Sequence, residues 1–174
     1  MIILTGEKHA GKTSLILQLV EKARVQGLRV AGIACPGLWQ QGQRSGFELL
    51  ELDTGRQALL SRRVAGLRPI PYMFQATSLE SGYQALSAKR CQNAELVVVD
   101  EVGKLELQGE GWAQCLSPLL ELQRPLQIWV VRRSLAREVQ ELFAPGAEVL
   151  DIEAENSLSL LMELVHCSIR KRNV

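Results

Sequence analysis

Near the start of the chain, Gly6-Glu7-Lys8-His9-Ala10-Gly11-Lys12-Thr13 fits the glycine-rich pattern G-x-x-x-x-G-K-S/T. The apolar run Met1-Ile2-Ile3-Leu4 precedes it, and Ser14-Leu15-Ile16-Leu17-Gln18-Leu19-Val20 follows with helical spacing. A strand entering and a helix leaving is the context in which such a loop cradles phosphate. Gly6 and Gly11 let the backbone turn where a β-carbon would collide, so that successive N–H groups converge on one anion at a helix N-terminus. In that frame Lys12 reaches the β- and γ-phosphates, and the Thr13 hydroxyl is a ligand for Mg²⁺. The His9 ring counts for less than its backbone N–H, and Lys8 is either a solvated side chain or an extra phosphate contact.

The loop therefore commits the chain to alternating strands and helices, and the remaining sequence agrees. Leu28 to Ala34, Leu96 to Asp100, Leu126 to Val131 and Ala147 to Asp151 read as strands; Lys12 to Gln26, Glu110 to Leu122 and Ser134 to Phe143 read as helices. Ser78 is placed to cap a helix from Leu79 to about Arg90, and Asn156 to cap a last helix with an apolar stripe of Leu158, Leu161, Met162, Val165 and Ile169. Between about residues 36 and 77 the rhythm changes. Cys35 to Gly46 is rich in turn formers, Phe47 to Leu52 is a strand, Asp53-Thr54-Gly55 a tight turn, Arg56 to Leu60 its return, Leu67 to Pro71 a stiff connection and Tyr72 to Phe74 a short strand. Strands without helices between them describe an antiparallel β insertion on the sheet edge. The expected fold is α/β, three-layered, with a mostly parallel sheet and helices on both faces, and 1–174 forms one domain.

Leu96-Val97-Val98-Val99-Asp100-Glu101 supplies what the loop lacks. Four apolar residues without polar alternation describe a central parallel strand covered on both faces. They end in Asp100 at the carboxyl edge, where an acid holds Mg²⁺, and Glu101 follows as the carboxylate that orients or deprotonates the attacking water. Acids at strand ends are common, and the phosphate loop upstream gives this pair its meaning.

Asp100-Glu101-Val102-Gly103-Lys104-Leu105-Glu106-Leu107 resembles the D-E-I-G-K-M-E-L signature of a small P-loop nucleoside-triphosphatase family of thermophilic bacteria and archaea, whose human member is the cancer-related nucleoside-triphosphatase. Gly42-Gln43-Arg44-Ser45-Gly46-Phe47 is similar to that family's turn into its β insertion, and element order agrees end to end. The resemblance implies a RecA-like core and Mg²⁺-dependent cleavage of ATP, GTP and other nucleoside triphosphates to diphosphate and phosphate, with loose base selectivity. It assigns nucleotide contacts to Gly6, Glu7, Lys8, His9, Ala10, Gly11, Lys12 and Thr13, and to Leu96, Val97, Val98, Val99, Asp100, Glu101, Val102 and Gly103. Ala34-Cys35-Pro36-Gly37-Leu38 departs from the family's aromatic-threonine-acid-acid stretch.

Two other readings stay open. A nucleotide or small-molecule kinase would use an acceptor pocket and an arginine-rich lid, for which Arg44, Arg56, Arg62 and Arg63 are available. A slow ATPase switch would act through a protein partner, with Leu38 or Trp39 as the contact. Arg132 or Arg133, after a strand beside the central one, is either a γ-phosphate contact or a surface ion pair. A net charge of +1 with interspersed signs does not argue for nucleic acid, nor does any apolar stretch reach the roughly 20 residues of a membrane span. Arg170-Lys171-Arg172 reads as a solvated helix end. The four cysteines have no paired spacing and read as reduced, mostly buried thiols of a cytoplasmic protein, monomeric by default. His166 reads as structural, the role of Lys104 is undefined, and no base-recognition motif names the nucleotide.

Overall fold

A computed structural model describes residues 1–66 and 71–170. In chain order the elements are β1 (Ile2–Thr5), α1 (Lys12–Val25), β2 (Val30–Ala34), β3 (Gly37–Gln40), β4 (Gln43–Glu51), β5 (Gln57–Arg63), β6 (Tyr72–Phe74), α2 (Ala76–Ala85), α3 (Ala88–Cys91), β7 (Leu96–Val102), α4 (Lys104–Leu107), α5 (Ala113–Leu120), β8 (Leu126–Val131), α6 (Arg133–Phe143), β9 (Glu148–Asp151) and α7 (Ser157–Arg170). One sheet runs β6-β5-β4-β2-β7-β8-β1-β9, with β3 paired to β4 outside this path. The five strands β2, β7, β8, β1 and β9 are parallel; β4 joins β2 antiparallel, and the insertion continues outward from there. The insertion thus extends the edge of the sheet, as its pattern of strands without helices implies.

Side-chain alternation along the parallel strands divides the core in two. Leu96 and Val98 of β7 pack with Ile2, Leu4, Ile16, Leu19 and Leu161, which brings α1 and α7 onto one face. Val97 and Val99 point to the other face and pack with Trp129, Leu116, Val139 and Leu86, under α2, α5 and α6. That is the three-layer arrangement, and it buries the central strands on both sides. Close approach of β2 to β7 rests on Gly32, whose φ is +97° and where a β-carbon would stand 2.0 Å from the Val98 carbonyl oxygen.

Several local expectations are corrected. Part of the turn-rich stretch after Cys35 is strand: β3 and the start of β4 form a hairpin around Gln41 and Gly42. Ser78 lies inside α2 instead of capping a helix, and its hydroxyl donates to the Leu59 carbonyl at 2.7 Å; Gln75 precedes the helix. The single helix expected to Arg90 is two, separated at Leu86 and Ser87. Residues 110–122 likewise hold only α5, and α4 precedes it over a stretch with no helix expected. Asn156 has a left-handed φ of +58° and contributes its carbonyl, which accepts the Leu160 amide at 2.9 Å. The stiff connection at 67–70 and the basic residues Lys171 and Arg172 lie outside the described residues. Cys35, Cys91 and Cys115 are buried free thiols and Cys167 is exposed. His166 is bonded to Gln26 at 2.6 Å, tying α7 to α1.

Candidate active site

The phosphate loop follows β1 and enters α1 through Gly11 in a left-handed conformation, φ +90°. A residue with a β-carbon pays for that geometry, and glycine does not. Lys12, only 8% exposed, folds back over the loop, donating to the carbonyls of Gly6 at 2.9 Å and Glu7 at 2.7 Å. Burial lowers its pKa, while Glu101 and Asp100 nearby favour the charged form. The loop is pinned from the start of α6: the Arg133 amide donates to the Gly6 carbonyl at 3.1 Å, and the Arg133 guanidinium pairs with Glu7, Asp151 and Glu153. Arg133 is therefore a brace for the loop.

Thr13 and Asp100 meet: the Thr13 hydroxyl donates to Asp100 Oδ2 at 2.9 Å. The same oxygen accepts the Cys35 amide at 2.9 Å, and Oδ1 accepts the Glu101 amide at 2.9 Å. Asp100 has no exposed surface, and this desolvation, reinforced by Glu101, raises its pKa to about 6 despite those three donors. A buried carboxylate bonded to a hydroxyl offers two hard oxygen donors of the kind a divalent cation takes. The chemistry of this donor pair therefore fits Mg²⁺.

Consecutive strand residues point to opposite faces, so Asp100 and Glu101 would ordinarily serve different sides of the sheet. The backbone resolves this at Glu101, which adopts φ +63°, beside a register shift between β7 and β8 at Val99 to Val102. Asp100 keeps the parity of Leu96 and Val98 and faces α1. Glu101 turns toward Arg132, 3.5 Å away, and is close enough to Lys12 to be its largest stabilising charge. A left-handed non-glycine residue is a strained one, and such strain persists only where surrounding structure imposes it.

Leu96, Val97, Val98 and Val99 are fully buried core, and their contribution is the strand that carries Asp100. Lys8 is exposed, as is Lys104 at the start of α4. His9 has φ +68° and lies against Trp39, ring centroids 5.1 Å apart; Arg44 bonds its ring at 3.1 Å and stacks on Trp39 and Phe47 at 4.6 and 4.9 Å. The hairpin of the insertion thus touches the loop. Arg62 and Arg63 are exposed on β5. Three contributors escaped the sequence reading. The Cys35 amide holds Asp100, and a backbone donor has no residue signature. The His9–Trp39–Arg44 contact depends on tertiary folding. Glu106, 3% exposed, accepts the Gly103 amide at 2.7 Å and the Trp112 amide at 2.9 Å, which fixes the loop after Glu101. Its signal was legible: an acid three residues into a helix that starts at a glycine is the acidic half of a capping box.

The profile of the NTPase family matches residues 1–165. Nucleoside-triphosphatase THEP1 of Methanosarcina barkeri is 31% identical over 89% of both chains, and that of Methanosarcina acetivorans is 29% identical over 98% of this chain and 97% of its own. Among solved structures, a human cancer-related nucleoside triphosphatase superposes with a TM-score of 0.72 at 26% identity over 95% of each chain. THEP1 from Aquifex aeolicus superposes with a TM-score of 0.69 over 95% of this chain and 99% of its own; at 21% identity it supports the fold alone.

Proposed function

The chain belongs to the NTPase family and is a nucleoside-triphosphatase, and we propose that it cleaves the β–γ bond of Mg²⁺-bound triphosphates at the junction of the phosphate loop with β7. The observation that carries this reading is the hydrogen bond between Thr13 and Asp100, which joins two segments 87 residues apart. Thr13 and Asp100 would hold Mg²⁺, which when bound would supply positive charge against the phosphates. The loop amides take the phosphates, and Lys12 exchanges its two carbonyl partners for phosphate oxygens. Glu101 accepts a proton from the water that attacks the γ-phosphorus as the bond to the β-bridging oxygen breaks. Arg132, beside Glu101, adds positive charge where the γ-phosphate sits. Val102 and Gly103 carry the backbone past the γ-phosphate, and Glu106 holds that backbone still.

The loop grips phosphates and not the base, which supports low base selectivity across ATP, GTP and other triphosphates. Among the described residues no helix is long and apolar enough to cross a membrane. The unpaired thiols suit a reducing compartment, and the cytoplasm is the proposed location. The test is phosphate release from a panel of nucleoside and deoxynucleoside triphosphates, with Mg²⁺ and with a chelator. Release from several bases that stops on chelation is expected. Equal release in the chelator, or none from any triphosphate, overturns the reading.

A further inference from the structure

Glu101 has two sides. One faces Lys12 and the loop. The other is part of the wall of a cavity of about 350 Å³ between the β insertion, α2 and the turn before α5. That volume lies in the range of small-molecule sites. Its walls carry two edge-to-face aromatic pairs: Phe47 with Tyr72 from the insertion, centroids 5.2 Å apart, and Tyr83 with Trp112 from α2 and the turn before α5, 5.7 Å apart. Aromatic walls of this kind suit a planar ring.

The polar groups cluster at the catalytic end. Glu101 and Arg132 both line the cavity, and they are paired at 3.5 Å. With Arg132 engaged, Lys104 is the other cation among the described lining residues, while Glu106 and Glu110 add negative charge. That balance does not suit a phosphorylated or otherwise anionic guest. Displacement at the γ-phosphorus runs in line, with the nucleophile opposite the leaving β-oxygen and the nucleoside beyond that oxygen. The space past Glu101 therefore belongs to the nucleophile and not to the base of the bound triphosphate.

We propose that this cavity is an acceptor site, and that the protein transfers the γ-phosphoryl group to the primary hydroxyl of a neutral aromatic alcohol of nucleoside size. The inference rests on the triphosphatase reading, because it uses the same loop and the same base. The acceptor oxygen forms a bond to the γ-phosphorus, the bond from that phosphorus to the β-bridging oxygen breaks, and the nucleoside diphosphate leaves. The hydroxyl proton passes to Glu101. Hydrolysis is then the same step with water in the acceptor's place, and an acceptor ring in the cavity displaces that water.

The experiment supplies ATP labelled with radioactive phosphorus in the γ position, Mg²⁺, and adenosine, guanosine, cytidine, uridine or thymidine in turn. Labelled nucleoside monophosphate and inorganic phosphate are separated and counted. At least one nucleoside is expected to take label while phosphate release falls. Leu79→Trp, on α2 at the cavity wall and outside the catalytic groups, is expected to cut transfer at least about tenfold and leave release without acceptor within about twofold. That residual release also shows that the variant folds. Label found only in inorganic phosphate with every nucleoside overturns the acceptor site and leaves the triphosphatase standing. Transfer undiminished in Leu79→Trp overturns the assignment to this cavity. Label that never leaves ATP overturns both.

Discussion

Glycine and alanine substituted in turn at Glu101 separate what the backbone requires there from what the carboxylate does. The residue sits at φ +63°. A left-handed conformation costs a residue with a β-carbon about 1–2 kcal/mol. Glycine escapes that cost but loses about 0.5–1 kcal/mol more backbone entropy on folding. Both variants remove the Arg132 pair, so its contribution cancels between them. The difference leaves Glu101→Gly more stable than Glu101→Ala by about 1 kcal/mol, which in a chain of this size is about 2–4 °C in Tm. The sign is informative, since in an ordinary strand alanine is the more stable of the two. Thermal melts of the pair without nucleotide give the stability half. Phosphate release gives the other half, with both variants expected to lose about 10²- to 10⁴-fold in kcat through loss of the base. An alanine variant as stable as the glycine variant, or more so, refutes the claim that the site is built on a strained backbone. Turnover within about tenfold of the unmodified protein refutes the role of the carboxylate.

Glu106→Ala strands the half-buried amide of Gly103 and the buried amide of Trp112, each worth about 1–3 kcal/mol. Urea unfolding is expected to show a loss of about 2–4 kcal/mol, and a loss below about 0.5 kcal/mol contradicts the clamp. Asp100, with its pKa raised by burial to about 6, binds its proton more tightly folded than unfolded. Its contribution to the unliganded protein therefore grows as pH falls below about 6 and is lost as pH rises through that value. The same proton competes with the metal, so half-saturating Mg²⁺, corrected for protonation of the nucleotide, should rise about tenfold between pH 7 and pH 5. A flat profile contradicts Asp100 as the metal ligand. Lys12→Ala removes the proposed phosphate contact, which would serve both ground and transition states, so nucleotide affinity and turnover should fall together. Isothermal titration with a non-hydrolysable analogue checks the first, and unchanged affinity contradicts it.

The parts of this site legible in the sequence are those written in contiguous residue types. The loop's glycines, Lys12 and Thr13 announce themselves because phosphate chemistry demands those side chains at that spacing. Asp100 is legible because the uninterrupted apolar run before it forces a buried strand to end there. Apart from Glu106, whose capping-box spacing is contiguous, what escaped is carried by backbone or by tertiary approach. The Cys35 amide aims at Asp100 only because β2 lies beside β7. Among the described residues β3 pairs only with β4, and its glycine and glutamine neighbours read locally as turn. Ser78 offered a cap by its type, yet its hydroxyl found the Leu59 carbonyl in the insertion. The turn of the backbone at Glu101 is the deepest case, because sequence alternation assigns adjacent acids to opposite faces.

In the proposed site one Mg²⁺-bound triphosphate is held between the loop and β7, with Glu101 as its base. The direct measurement is Glu101→Gln, with nucleotide affinity by titration and phosphate release by steady-state assay on the same preparation. Affinity within about threefold of the unmodified protein and a kcat lower by at least about a hundredfold are predicted. Release at the unmodified rate contradicts the account.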